Sequence, residues 1–272
     1  MVIMLVAGQF GCGARRAPLQ PPEIAPKKLD TIQDVTQSLY GHYGSINSLK
    51  ASGKIQFKLV DEEHWRPADF LLMLERPDKL RMRAYRPLVS SLFELVSNGE
   101  ECWLYFPSDR TAYLSDCGPA DAYANPAVSA DVVVSAITVV SDFDRLPSLP
   151  MSLAHGDSLL RLSLDEGDFV RDLWLDETTG LIARQQVLNE DGVLVADIVY
   201  LEHAAIDGAA VPVRIEIELQ RMRSLIRLVV EEARLDPEIP ADAFNLVVPE
   251  DVRILVPDSR KWGSNIPLDS GN

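Results

Sequence analysis

At 272 residues, with 47% hydrophobic and 25% charged side chains, the chain can build one large core, and its balance excludes wholesale disorder or a multi-span membrane protein. Its 26 basic and 41 acidic residues give a net charge of −15, spread along the sequence, which argues against nucleic acid as a partner. The basic cluster Arg221, Arg223 and Arg227 reads as solvated strand positions.

Met1 to Phe10 is mostly apolar; Gly11 and Cys12 follow, and the composition then turns to Gly, Arg, Pro and Gln. This resembles the end of a lipoprotein signal peptide, in which a small residue precedes a cysteine that is cleaved and acylated. Residues 1–12 are therefore read as signal-like, with Cys12 as the lipidation site and the N-terminal lipid as the link to a membrane. The run is too short to span a bilayer as a helix, which takes about 20 residues. Residues 13–28 hold Pro18, Pro21, Pro22 and Pro26 among Arg and Lys, the composition of an extended tether.

Order is expected over 29–256, before a polar tail at 257–272. Ile32, Val35, Leu39 and Tyr43 recur at helical spacing, which predicts an amphipathic helix over 31–43 with Asp30 as N-cap and Gly44 behind its end. The period then changes to two. Runs at Ile55–Leu59, Phe70–Leu74, Leu80–Tyr85, Ser91–Ser97, Glu101–Phe106 and Thr111–Leu114 are separated by short turns such as Asp61-Glu62-Glu63 and Asn98-Gly99. Strands joined so tightly form an antiparallel meander, because parallel crossovers need a dozen or more residues. Cys102 and Cys117 flank the hairpin around Pro107-Ser108-Asp109-Arg110 and sit diagonally across it; two buried free thiols are expected, with a disulfide as the alternative.

Between Pro119 and Leu149 the alternation lapses. Ala120–Ala124 and Ser129–Ile137 have weak helical patterns despite the β-branched Val132, Val133 and Val134, and are read as an insert lying over the sheet, with 132–137 as a candidate lid. Strands resume at Leu159–Leu164, Phe169–Leu175, Leu181–Leu188, Val193–Tyr200, Val211–Leu219 and Leu225–Ala233, and the end of the chain holds room for one more.

The fold class that follows is mainly β, with about eleven consecutive antiparallel strands in one sheet that curls into an open half-barrel, because a flat sheet of that size would expose an entire apolar face. A few helices would then lie as lid or plug on its concave face, and the interior would be wide enough for an apolar ligand. A filled β-sandwich is the alternative. Candidate cavity-wall residues in the first strands are Ile55, Phe57, Leu59, Phe70 and Leu72. Further along they are Leu80, Met82, Phe93, Trp103 and Tyr105.

This order of elements resembles the Lol-type lipoprotein carriers and receptors of the bacterial envelope (the LolA/LolB-like superfamily) over roughly residues 30–256. The resemblance rests on Ser52-Gly53-Lys54-Ile55, on Trp174-Leu175-Asp176 followed by Thr179-Gly180-Leu181, and on Ile239-Pro240 with Phe244 and Pro249. In addition, Arg86-Pro87-Leu88-Val89-Ser90-Ser91-Leu92-Phe93-Glu94-Leu95 is similar to the receptor's loop between its third and fourth strands, in which an exposed leucine serves membrane transfer; Leu88 holds that place. The resemblance implies an outer-membrane lipoprotein facing the periplasm, with Gly13 in place of Asp after Cys12. It also implies a monomer that binds acyl chains of lipoproteins or lipid without catalysis or cofactor. A non-catalytic assembly module of the envelope with the same fold is the second reading.

Catalytic signatures are missing from the sequence: there is no Gly-x-Ser-x-Gly elbow, phosphate-binding glycine loop or His-Glu-x-x-His helix. His42, His64, His155 and His203 share no metal-ligand spacing with the cysteines, so no metal site is expected.

Overall fold

The computed structural model describes residues 19–87, 91–117, 130–220 and 223–256. Among them, fourteen strands form a single sheet in the order β14-β6-β5-β4-β3-β2-β1-β13-β12-β11-β10-β9-β8-β7. The first meander comprises β1 (Ser48–Leu59), β2 (Arg66–Glu75), β3 (Lys79–Tyr85), β4 (Ser91–Asn98), β5 (Glu101–Phe106) and β6 (Thr111–Asp116). The second comprises β7 (Met151–His155), β8 (Leu159–Asp165), β9 (Phe169–Asp176), β10 (Ile182–Asn189), β11 (Leu194–Ile206), β12 (Ala209–Leu219) and β13 (Ser224–Leu235). The two meanders join where β1 pairs with β13, and the sheet does not close. It is a curled half-barrel, not a sandwich.

Three differences from the sequence reading have physical causes. The strand Met151–His155 is short and carries only two large apolar residues, so periodicity does not reveal it. A last strand, β14 (Arg253–Leu255), pairs with β6 in parallel, because the chain reaches it by a long return across the sheet and not through a hairpin. The tether also runs along the body from Leu19 onward: Ala205 N donates to the Gln20 carbonyl at 2.8 Å, and Lys27 N to the Thr178 carbonyl at 2.9 Å. Extended backbone keeps its own N–H and carbonyl groups free for such bonds.

Side chains alternate about the sheet along β1 and β2. Leu49, Ala51 and Ile55 on β1 face Leu74, Leu72 and Ala68 on β2, and all six are buried on one face. The opposite face carries cross-strand ion pairs such as Arg81–Glu94, 2.6 Å apart, and Arg227–Glu216, 2.7 Å apart, which keep that face wet. Gly53 marks the tightest approach in the sheet. A bulge on β13 brings the Val229 carbonyl so near that a Cβ on Gly53 would stand 2.0 Å from the oxygen, so only glycine fits.

Two helices cover part of the concave face. Helix α1 (Ile32–Tyr43) begins with a capping box in which Thr31 Oγ1 accepts from Asp34 N at 3.1 Å, while Thr31 N donates to the Asp34 carboxylate at 3.0 Å. The cap is therefore Thr31 and not Asp30, since the carboxylate three residues into the helix completes the reciprocal pair. Val35, Leu39 and Tyr43 are wholly buried on the sheet side. Helix α2 (Ala130–Thr138) crosses from β12 to β3 and β4, with Val132, Val134, Ser135, Ala136 and Ile137 all buried. Burial on nearly every side overrides the strand preference of its valines. The segment Ala120–Ala124 lies outside the described residues.

Arg76, in the β2–β3 turn, fastens both helices. Its guanidinium donates to the Gly44 carbonyl behind α1 at 3.4 Å and to the Thr138 carbonyl ending α2 at 2.9 Å, and stacks 4.7 Å from the Phe143 ring centre. A cation at two helix C-termini answers both dipoles. Burial lowers its pKa to about 10, so it stays charged at neutral pH.

After β13 the chain returns over the convex face. Lys50 Nζ donates to the Glu238 carbonyl at 2.6 Å, Arg81 to the Ala243 carbonyl at 2.9 Å, and Lys79 lies over the Phe244 ring. This strap shields the convex face around Val96, which sits opposite Arg81 and is 1% exposed, and delivers β14 to the β6 edge.

Candidate functional site

The concave face divides into a filled end and an open end. At the filled end, Tyr43, Ile46, Leu49, Leu74 and Leu80 pack beneath the helices with no exposed surface. At the other end, near the β3–β4 connection, the inward side chains Phe57, Leu59, Phe93, Phe106 and Ile226 are only half-buried. Aromatic rings form a continuous row there. The ring centres of Phe57 and Phe93 are 6.3 Å apart, those of Phe93 and Phe106 also 6.3 Å, and those of Phe106 and Tyr113 6.2 Å.

The first of these distances measures the curl. Phe57 lies on β1 and Phe93 on β4, three strand spacings away and displaced along the strands as well, which in a flat sheet would separate them by more than about 14 Å. Their contact at 6.3 Å requires the sheet to fold inward between them. Ala68 on β2 and Ala84 on β3 line the intervening face, and their small side chains leave room for the rings to tilt together. The result is an apolar trough, with Arg66 opposite Phe57 at its rim and ion-paired to Glu62.

The sequence-derived wall residues distribute unevenly about this trough. Ile55, Phe70, Leu72, Leu80 and Met82 face inward but are 0–3% exposed, so they form the floor beneath the packed layer. Phe57, Leu59 and Phe93 line the trough itself. Trp103 and Tyr105 do not belong to the wall. Their strand pairs Ser97 with Cys102 and Leu95 with Leu104, both inward, which turns Trp103 and Tyr105 to the convex side opposite Val96 and Glu94. Trp103 Nε1 there donates to Glu101 at 3.1 Å. Phe106, absent from the sequence-derived set, takes their place; its signal is the even-numbered alternation of Cys102, Leu104 and Phe106. Leu88 and Cys12 lie outside the described residues.

The insert 132–137, read from the sequence as a lid, is buried as a plug. Among its anchors, the Tyr200 hydroxyl lies 3.1 Å from Gln185 Oε1 and 3.4 Å from the Ser135 carbonyl. Helix α1 has a comparable anchor: the Tyr43 hydroxyl accepts from Ile182 N at 3.0 Å and lies 3.3 Å from His203 Nε2, while His42 Nε2 bonds the Thr179 carbonyl at 2.8 Å. Burial pushes the His203 pKa down to about 4, with nearby His42 adding to the effect, so the ring is neutral at physiological pH and free to accept the tyrosine proton.

Cys102 and Cys117 are joined in a disulfide, with Cα atoms 5.3 Å apart, in place of the free thiols expected from the sequence. Cys102 lies opposite Ser115, and Cys117 is the next inward residue just past the strand end, so their diagonal offset falls within bridging range. Among the described residues no cluster of three or more His, Cys, Asp or Glu side chains is arranged to hold a metal ion, and no helix is long and apolar enough to cross a membrane.

Two open depressions lie elsewhere. One of about 780 Å³ sits on the convex face between Lys50, Leu71, Arg83, Glu94 and Arg234. Another of about 630 Å³ lies where Leu19, Pro21 and Pro22 cross β11 to β13. Both mix charged and apolar side chains, unlike the aromatic trough.

No protein-family model and no curated protein matches the sequence. Solved structures do share the fold. A LolA superfamily protein from Nitrosomonas europaea superposes with a TM-score of 0.56 at 13% identity, covering 80% of this chain and 99% of that one. A domain named for outer membrane lipoprotein sorting, from Vibrio parahaemolyticus, gives 0.56 at 10% identity, over 78% and 95% of the two chains. A DUF1329 family protein from Desulfovibrio piger gives 0.54 at 13% identity, over 78% and 95%. The fold is LolA-like, as the order of elements implies.

Proposed function

We propose that this chain is a lipid-anchored protein of the bacterial envelope, held at the outer membrane and facing the periplasm, that receives or carries the acyl chains of lipoproteins or lipids. The observation that supports the reading best is the half-open row Phe57, Phe93 and Phe106 on the concave face of a LolA-like sheet. Each methylene moved from water onto such a surface gains about 0.8 kcal/mol, so several hydrocarbon segments laid along the trough would bind appreciably without any reaction. The plug helices and their polar anchors would bound the depth of entry. In this reading Cys12 carries the anchor and Leu88 serves transfer to the membrane.

Native mass spectrometry and lipid extraction of the purified protein test this. Copurified acyl ligand that is lost in Phe106→Glu supports the carrier; protein that is empty when isolated from membranes rich in lipoprotein contradicts it. Leu88→Glu should reduce lipoprotein transfer to vesicles while leaving the fold and acyl binding intact. The filled end of the concave face, where Val35, Leu39 and Tyr43 leave no space, favours a second reading in which the fold serves as an assembly module, and consistently empty protein would point there.

A further inference from the structure

The two edges of the sheet are treated differently. At one, β14 covers β6: Arg253 N donates to the Arg110 carbonyl at 2.8 Å, and Arg110 is ion-paired to Asp251 at 2.6 Å. At the other, β7 pairs with β8 alone. Asp165 N donates to the Pro150 carbonyl at 3.0 Å, and Gly156 N to the Leu159 carbonyl at 2.9 Å. The antiparallel alternation between these bonds directs the backbone of Ser152 and Ala154 to β8, and that of Met151, Leu153 and His155 outward. Among the described residues, no backbone or side-chain group bonds those outward N–H and C=O groups. Of the usual protections of an edge β7 has only its shortness: Met-Ser-Leu-Ala-His contains no lysine, proline or bulge.

A row of donors and acceptors repeating every second residue is matched by only one partner chemistry, another extended strand. Charge then selects among strands. Exposed Asp157 stands just beyond one end of β7, and exposed Asp165 and Asp168 lie at the other, within a chain of net charge −15. A second copy would bring the same acidic charge to the seam, whereas a basic segment would be attracted. Met151 and Leu153, half-buried on the concave side, leave apolar flanks against which an incoming strand's alternate residues would pack. We infer that β7 is a docking edge for an extended peptide of another protein, with apolar residues alternating with polar ones and with lysine or arginine among them, bound by β-augmentation.

The test uses an end-blocked peptide, Lys-Val-Thr-Val-Lys-Val-Thr, and amide hydrogen exchange of the whole protein. Saturating peptide should slow exchange at Met151, Leu153 and His155 by about tenfold or more. Leu153→Pro removes an outward N–H and no β8 bond, so it should abolish that protection while the melting temperature stays within a few degrees. Methylating alternate peptide nitrogens should abolish binding with the protein unaltered. The inference is overturned if the amides are unaffected at ~1 mM peptide, if they are already protected in the free protein, or if the proline variant binds normally. It is overturned equally if a Glu-for-Lys peptide binds as well, or if sedimentation shows two copies paired through β7.

Discussion

At the scale of single residues, His203 carries the plainest pH prediction. Its ring is neutral in the fold down to about pH 4, whereas in the unfolded chain it protonates near 6.5, so between those values the unfolded state holds one more proton. Stability attributable to His203 is therefore complete above pH 6.5 and falls on acidification, by roughly 3 kcal/mol at most by pH 4. Urea denaturation at pH 7, 5.5 and 4.5 should show this loss, and His203→Gln should flatten the slope by about one proton. Part of the site could be read at this scale and part could not. Phe57 and Phe93 are visible as inward positions because Lys54, Gln56 and Lys58 on one strand, and Glu94 on the other, mark the wet face. In Glu101–Phe106 the charge of Glu101 marks the face of Trp103 and Tyr105 as the wet one, but two large aromatic residues on that face point the other way, so the sequence signals conflict. The strap that covers part of the convex face beside Arg81 is contributed by residues more than a hundred positions away. The same distance hides the role of His203, which sequence places beside no partner.

Among the elements, the two helices and the turn that holds them are the movable parts of the concave face. Arg76 answers the last carbonyls of both, and charged hydrogen bonds of that kind are worth about 1.5–3 kcal/mol each. Arg76→Met keeps the aliphatic stem and removes the donors; it should cost roughly 2–4 kcal/mol and accelerate hydrogen exchange in both helices more than in β9 to β12. Equal acceleration everywhere would mean that the helices do not move as a unit. The Cys102–Cys117 bridge closes a separation of 15 residues, a loop whose crosslinking stabilises by about 3 kcal/mol. Reduction should lower stability by about that amount under denaturant, and a Cys117→Ser variant should match the reduced protein. Sequence showed both cysteines near one hairpin but not the pairing, because the diagonal is closed by the chain just past the strand end. It also showed twelve of the strands, since each has alternating apolar residues between legible turns. β7, with only two large apolar residues, and β14, three residues long, are too short for a period to show, while the helical pattern of α2 is legible over 129–137 but its burial as a plug is not.

For the whole molecule, the decisive feature is the inward fold of a sheet that fourteen strands leave too broad for two helices to fill. The sequence conveys most of the described strands, about eleven expected against fourteen found, and the scarcity of helix, and from these the curl follows. It does not convey which end of the concavity stays open, because that depends on where α1 and α2 come to rest. The account's central claim is that hydrocarbon lies along Phe57, Phe93 and Phe106. A long-chain fatty acid carrying a diazirine near its methyl end, bound to the protein, irradiated and located by peptide mass spectrometry, tests this most directly. The account predicts crosslinks confined to β1, β4 and β5 on their inward residues, and their disappearance in Phe93→Glu. Crosslinks scattered over the convex face, or none at saturating probe, would contradict it.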